Sequence, residues 1–273
     1  WDIIGSYGTN DSNITWTTTQ NITHYIDSDT KALRLQWYLK TPNLSHLYID
    51  YQHVRISAEL DRWALIVCGG AAGGPEQEDL VNATKLAYRT LLGLGYDHEN
   101  IYYLSVINDT DADGDGQNDV DEYASKDSVE AAITDWLVNH SDSRDVDMLY
   151  VASHGGKFEY DEITAGYFVL DSNGNGEIDM VGWPPSPVPE ERIMDSVMAS
   201  WIDQVTYATF CFVIEACYSG TFINDVSDSN NRIVISSTTE DKGAMNDTVA
   251  KDIPCFTFFT SLDHGSSIGE AFN

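Results

Sequence analysis

Two short apolar runs constrain this chain more than anything else in it. Residues 148–152 and 211–216 are each too short for a buried helix, and each is followed within two residues by a reactive side chain, His154 or Cys217. Such runs read as strands buried on both faces, as in a parallel sheet. A third run, residues 63–68, ends in Gly69-Gly70, and further strand signals lie at 101–107 and 232–236. Between them the spacing predicts helices over 79–94, over 128–138 with a cap from Ser125 or Asp127, over 191–202, and from about Phe256 to Leu262. Strands alternating with helices imply an α/β fold with a mostly parallel sheet, whose ligands sit beyond the carboxyl ends of the strands. His154 and Cys217 each stand at such an end.

Residues 1–60 read differently. Segments 14–19, 32–39 and 47–56 alternate in the manner of strands and are separated by polar turns, so a β-rich N-terminal segment is expected ahead of a main domain over 61–273. The chain begins at Trp1 without a Met or a recognisable signal peptide, as a trimmed piece or a mature fragment would.

A thiol attacks an acyl carbon as thiolate, and a neighbouring imidazole both takes its proton and later protonates the leaving amine. Cys217 and His154 are the candidates for that pair. Gly155 lacks a Cβ and lets the main chain approach a substrate, so its N–H and that of Cys217 are candidates for an oxyanion hole. Cys68, Cys211 and Cys255 lie within or beside apolar runs and are expected to be structural; with no CxxC pair, a zinc site is not expected.

Ser153-His154-Gly155-Gly156 and Glu215-Ala216-Cys217-Tyr218-Ser219-Gly220 resemble the two catalytic blocks of the legumain family of cysteine peptidases, which shares its fold with caspases, gingipains and clostripain. Residues 236–241 and 267–272 resemble the family's specificity-pocket segment and the end of its last helix, so the resemblance runs over about 61–273. It implies a caspase-like three-layer sandwich and thiol endopeptidase chemistry, with His154 and Cys217 as the dyad. It also implies a substrate pocket drawing on Glu215, Ser236, Ser237 and Asp241. The family's Asn- and Arg-bearing loop is replaced by Gly69-Gly70-Ala71-Ala72-Gly73-Gly74-Pro75, which leaves Glu215 without an Arg nearby. A pocket of unpaired acids favours Lys or Arg at the cleavage position over Asn.

Asp111, Asp113, Asp115, Gln117, Asp119 and Glu122 fall at every ligand position of a twelve-residue calcium loop, with Gly116 at the sharp turn. A second loop begins the same way with Asp171, Asn173, Asn175, Glu177 and Asp179, but Gly182 stands where the bidentate Glu belongs. Ca2+ is the cofactor these patterns imply.

Acidity pervades the chain: 44 Asp plus Glu face 14 Lys plus Arg, a formal net charge of −30. Such a surface repels phosphate backbones and anionic lipid, which argues against nucleic-acid partners. No apolar run is long enough for a membrane span. Eight Asn-x-Ser/Thr sequons, together with the calcium-type loops, point to an extracellular or cell-surface setting. The expected function is a calcium-binding cysteine endopeptidase acting on peptide or protein substrates. The alternatives are a transpeptidase using the same acyl-thioester and a catalytically silent scaffold module of the same fold.

Overall fold

A computed structural model describes residues 61–160, 163–182, 185–227, 231–243 and 254–272. The β-rich expectation for residues 1–60 lies outside the described residues. In chain order the elements begin with β1 (Arg62–Cys68), α1 (Gln77–Gly93), β2 (Ile101–Ser105) and β3 (Glu122–Tyr123). There follow α2 (Lys126–Ala131), which runs through a π turn at Ala132–Leu137 into α3 (Val138–His140), and then β4 (Val146–Ala152). Next come β5 (Gly155–Tyr160), β6 (Ile163–Val169), β7 (Met180–Val181), β8 (Ser186–Pro187), β9 (Arg192–Met194) and α4 (Asp195–Ile202). The last are β10 (Thr209–Glu215), α5 (Thr221–Val226), β11 (Arg232–Ser236), α6 (Pro254–Asp263) and α7 (Ile268–Phe272).

The central sheet has six strands in the order β11-β10-β4-β1-β2-β3, and every pairing in it is parallel. Its strands are apolar on both faces because both faces are covered. Leu65, Val67, Leu149 and Phe212 join Val129, Ile133, Met198, Ile202 and Phe222 of α2, the π turn, α4 and α5. Ala64, Ile66, Tyr150 and Val213 point the other way, onto Leu80, Ala87 and Leu91 of α1 and Phe258, Phe259 and Leu262 of α6. The result is an α/β three-layer sandwich. Each fully buried large side chain contributes about 1.5–3 kcal/mol, so these two layers carry most of the domain's stability. Among the described residues no helix is long and apolar enough to cross a membrane.

The helix expected over 191–202 is shorter. Pro189–Glu191 forms a 3-10 turn and Arg192–Met194 is strand β9, antiparallel to β6 in a small sheet ordered β5-β6-β9. Leu170 N–H donates to the Glu191 carbonyl and Gly166 N–H to the Asp195 carboxylate, so partners from β6 and the residue after it hold that backbone extended. The cap from Ser125 is present: its hydroxyl accepts from Ser128 N–H, and the Ser128 hydroxyl accepts from Ser125 N–H, a reciprocal capping box.

Candidate active site and cation loops

Register brings the chemistry to one rim. Cys68 of β1 is opposite Ala152 of β4, Ala152 is opposite Glu215 of β10, and Ile214 is opposite Ser236 of β11. His154, two residues past Ala152, and Cys217, two past Glu215, therefore leave neighbouring parallel strands at the same end. The ladder continues past the strands, with Gly69 N–H donating to Ala152 and Ser153 N–H to Glu215.

Gly155 is dictated by close approach. A Cβ there would lie 2.6 Å from the Cys217 carbonyl oxygen, 2.9 Å from that of Tyr167 and 3.0 Å from the Ala216 Cβ. The chain segments carrying His154 and Cys217 are thus in backbone contact, which only glycine permits.

His154 Nε2 lies 2.9 Å from the Pro75 carbonyl. A carbonyl only accepts, so Nε2 carries the proton and Nδ1 of the neutral ring is the acceptor, ready to take another. The loop presenting Pro75 is braced. Glu76 sits in the left-handed region with φ 59°, Gln77 Nε2 donates to the Gly69 carbonyl at 3.0 Å, and Gly73 N–H donates to the Gly176 carbonyl at 3.2 Å.

The turn after Cys217 is held as firmly. Tyr218 has φ 60° and donates its N–H to the Lys242 carbonyl at 2.9 Å. Strain of this kind costs about 1–3 kcal/mol and persists only where neighbours enforce it. Those neighbours include Ser219 and Thr238, which exchange backbone–side-chain hydrogen bonds of 3.1 and 3.2 Å. Cys217 is partly exposed, whereas Cys68 and Cys211 are buried. Burial pushes the Cys68 thiol up to about 11 and the Cys211 thiol up to about 12. The Cys255 side chain lies outside the described residues.

The residues assigned to a substrate pocket divide. Ser237 Oγ accepts from Ala216 N–H at 3.3 Å and Ser236 Oγ donates to the Thr238 carbonyl at 3.0 Å, so both serines brace the turn around the nucleophile. Glu215 is not the unpaired acid that a missing Arg suggests: it is buried and accepts the Tyr150 hydroxyl at 2.8 Å. Asp241 is exposed; the Thr239 hydroxyl and its own N–H, with smaller help from Lys242 and Lys157, hold it below the usual carboxylate range. Lys157, which sequence reasoning passed over, is salt-bridged to Glu159 and lies 5.2 Å from the Tyr218 ring centroid.

In the first acidic loop, carboxylate oxygens of Asp111, Asp113 and Asp115 lie within 4.8 Å of one another. Gly114 and Gly116 N–H groups donate to Asp111, Asp115 N–H to Asp113, and Gln117 N–H to Asp115. Gly116 takes φ 88°, as the sharp turn requires. Asp119 accepts from Ala112 and Asp113 N–H and groups with His98 and Asp113. Glu122 accepts the Tyr102 hydroxyl from its place on β3.

The second loop repeats the wrapping: Gly174, Asn175 and Gly176 N–H groups donate to Asp171, and Glu177 N–H donates to Asn175. A residue outside the loop's own span also joins it. Glu191, 1% exposed, accepts from Asn173 Nδ2 at 2.9 Å and from Asp179 N–H at 2.5 Å. Burial first, then the charges of Asp179 and Asp171, push its carboxyl above the usual range. It lies beyond any twelve-residue window starting at Asp171, so no linear pattern could have found it.

No family model matches this chain, and no curated protein matches it. Among solved structures it is similar to the crystal structure of protein GSU0716 from Geobacter sulfurreducens at 12% identity and TM-score 0.36. That alignment spans 63% of this chain and 57% of the other, a likeness too low to bear on fold or function.

Proposed function

We propose that this chain carries a calcium-binding cysteine endopeptidase of the legumain and caspase-like type, with Cys217 as nucleophile and His154 as base. The observation that carries the reading is the shared rim: parallel register brings both residues off adjacent strands, and Pro75 fixes the His154 tautomer with Nδ1 as acceptor. His154 takes the thiol proton, and the Cys217 sulfur attacks the peptide carbonyl carbon. N–H groups of Gly155 and Cys217 stabilise the oxyanion. Collapse expels the amine, protonated by His154, and leaves an acyl-thioester. Water, deprotonated by the same imidazole, releases the acid and restores the thiol. Asp241, the exposed carboxylate beside the nucleophile turn, is the group proposed to meet a Lys or Arg side chain of the substrate.

Ca2+ fits the donors of both loops, which are hard oxygens. Asp111, Asp113 and Asp115, with the Gln117 carbonyl, would hold it in the first; Asp171, Asn173, Asn175 and Glu191 in the second. A cation there offsets the repulsion among Asp171, Asp179 and Glu191. Gly176 of the second loop is bonded to Gly73, two residues before the carbonyl that holds His154, so ordering this loop steadies the base. The sequons at Asn82, Asn108 and Asn139 are exposed, in keeping with a secreted or cell-surface setting.

The test is a peptide library incubated with calcium and with a chelator, using Cys217→Ala as control. Cleavage lost in the variant, with Arg or Lys before the scissile bond, is the expected result. Cleavage that survives in Cys217→Ala overturns the nucleophile assignment, and cleavage after Asn but not Arg overturns the acidic pocket.

A further inference from the structure

Asp147 is 0% exposed and lies near the start of β4, at the opposite end of that strand from His154. Its Oδ2 is 2.6 Å from Ser141 Oγ, and the same Oγ is 2.8 Å from the Thr206 carbonyl oxygen. Both separations are those of full O–H···O hydrogen bonds. A hydroxyl has one proton to donate, whereas a carbonyl and an ionised carboxylate can only accept. The two contacts are satisfied together when Ser141 donates to Thr206 and accepts a proton from Asp147 in its carboxylic acid form. Asp147 Oδ1 has no hydrogen-bond partner among the described residues, a costly state for a buried carboxylate and a milder one for a neutral acid.

Among the described residues, the groups around it offer no compensating charge. Asp142 and Asp145, in the connection leading into β4, are like-charged. Tyr96 beyond α1 and the Cys211 thiol on β10 carry no positive charge. Arg144 is engaged with Asp142, Arg62 with the Leu94 carbonyl, and Arg232 with Asp203. His140, at the end of α3, donates from Nδ1 to the Trp136 carbonyl and packs its ring on Trp63 and Trp136. Burial first, opposed by the Ser141 hydroxyl and reinforced by Asp145 and Asp142, pushes the Asp147 carboxyl up to about 7.

We propose that Asp147 is a pH-responsive latch: as a neutral acid it donates through Ser141 to Thr206, tying the end of α3 and the loop before β10 to the base of the sheet, and its ionisation breaks that relay. The inference is independent of the peptidase reading. Because the folded value lies above the ordinary 3.8, the latch's contribution is complete below about pH 4, declines as pH rises toward about 7, and is gone above it. Inside that window the folding constant falls about tenfold per pH unit on account of this group alone.

The experiment compares urea unfolding of the full chain and Asp147→Asn between about pH 4.5 and 8. Asn keeps a donor for Ser141 but does not titrate, so differencing the two removes the acidic surface's general response. The wild type is expected to lose about tenfold more in its folding constant per unit than the variant between about pH 5 and 7. Parallel slopes overturn the latch. Should Asp147→Asn fail to fold, the carboxyl 13C shift of Asp147 in the wild type decides. A midpoint above about 6 supports the latch, and one below it, toward the ordinary value of about 4, overturns it.

Discussion

Replacing Gly155 with alanine tests whether the rim is assembled by contact between the segments that carry His154 and Cys217, the proposed base and nucleophile. The added Cβ would stand 2.6 Å from the Cys217 carbonyl oxygen and 2.9 Å from that of Tyr167, both backbone atoms with no rotamer to yield. Restoring an ordinary contact needs a main-chain shift of about 0.8 Å or more. Overpacking of this kind costs about 1–3 kcal/mol of stability. Its effect on rate is larger. Misplacing reacting groups by about 1 Å costs about a hundredfold, and losing one oxyanion donor about a hundred- to a thousandfold. Gly155→Ala is therefore expected to fold and to lose about two to three orders of magnitude in kcat/KM. Gly269→Ala is the control, because a Cβ there meets nothing within 4 Å. Peptide hydrolysis gives the rate, iodoacetamide labelling of Cys217 reports the thiol directly, and thermal melting confirms folding. A folded Gly155→Ala enzyme within about threefold of wild type refutes the idea that the base and nucleophile segments require this contact.

Iodoacetamide near neutral pH, followed by peptide mass mapping, is expected to label Cys217 while leaving Cys68 and Cys211 unmodified, since burial raises those thiols to about 11 and about 12. Equal labelling of Cys211 would contradict that. Calcium at about a hundred times its dissociation constant is expected to add about 2.7 kcal/mol of stability, measured by melting with and without chelator. Glu191→Ala should diminish that gain more than Glu122→Ala, whose carboxylate faces Tyr102; the reverse ranking removes Glu191 from the proposed cation site. Glu76→Gly relieves a left-handed φ of 59° and is expected to stabilise the fold by up to about 1 kcal/mol, read from urea midpoints. A loss of stability there would show that the Glu76 side chain has a task beyond ending the loop.

The parallel sheet was legible because burial on both faces leaves a continuous apolar run, and β1, β4 and β10 each carry one. The shared rim of His154 and Cys217, the proposed dyad, was legible for a related reason. A reactive residue at a sheet rim sits just after a strand, so the end of an apolar run and a His or Cys within two residues of it carry the signal. Segment 191–202 misled for the opposite reason. Its apolar spacing suits a helix, but its first residues are claimed by an antiparallel edge whose partner, β6, lies more than twenty residues upstream.

What stayed hidden was of two kinds. Main-chain groups have no letter in a sequence, so the Pro75 carbonyl that orients His154 could not be read from Gly73-Gly74-Pro75. Residues joined by tertiary pairing alone were equally invisible. Glu191 reaches the second loop because the β6–β9 pairing places the turn before β9 against Asn173 and Asp179. The same logic reverses the expectation for Glu215. Its environment was inferred from a missing Arg in the loop after β1, yet Tyr150 lies on the adjacent strand, with Val213 as its register partner. The two side chains share a sheet face, and the phenol reaches the carboxylate. A neighbour across a parallel pair is fixed by register, and register is a property of the assembled sheet. An acid judged unpaired from its own loop is for that reason the least secure inference a sequence allows, and Asp241, on a turn rather than within a strand, is left as the carboxylate on which the proposed basic specificity rests.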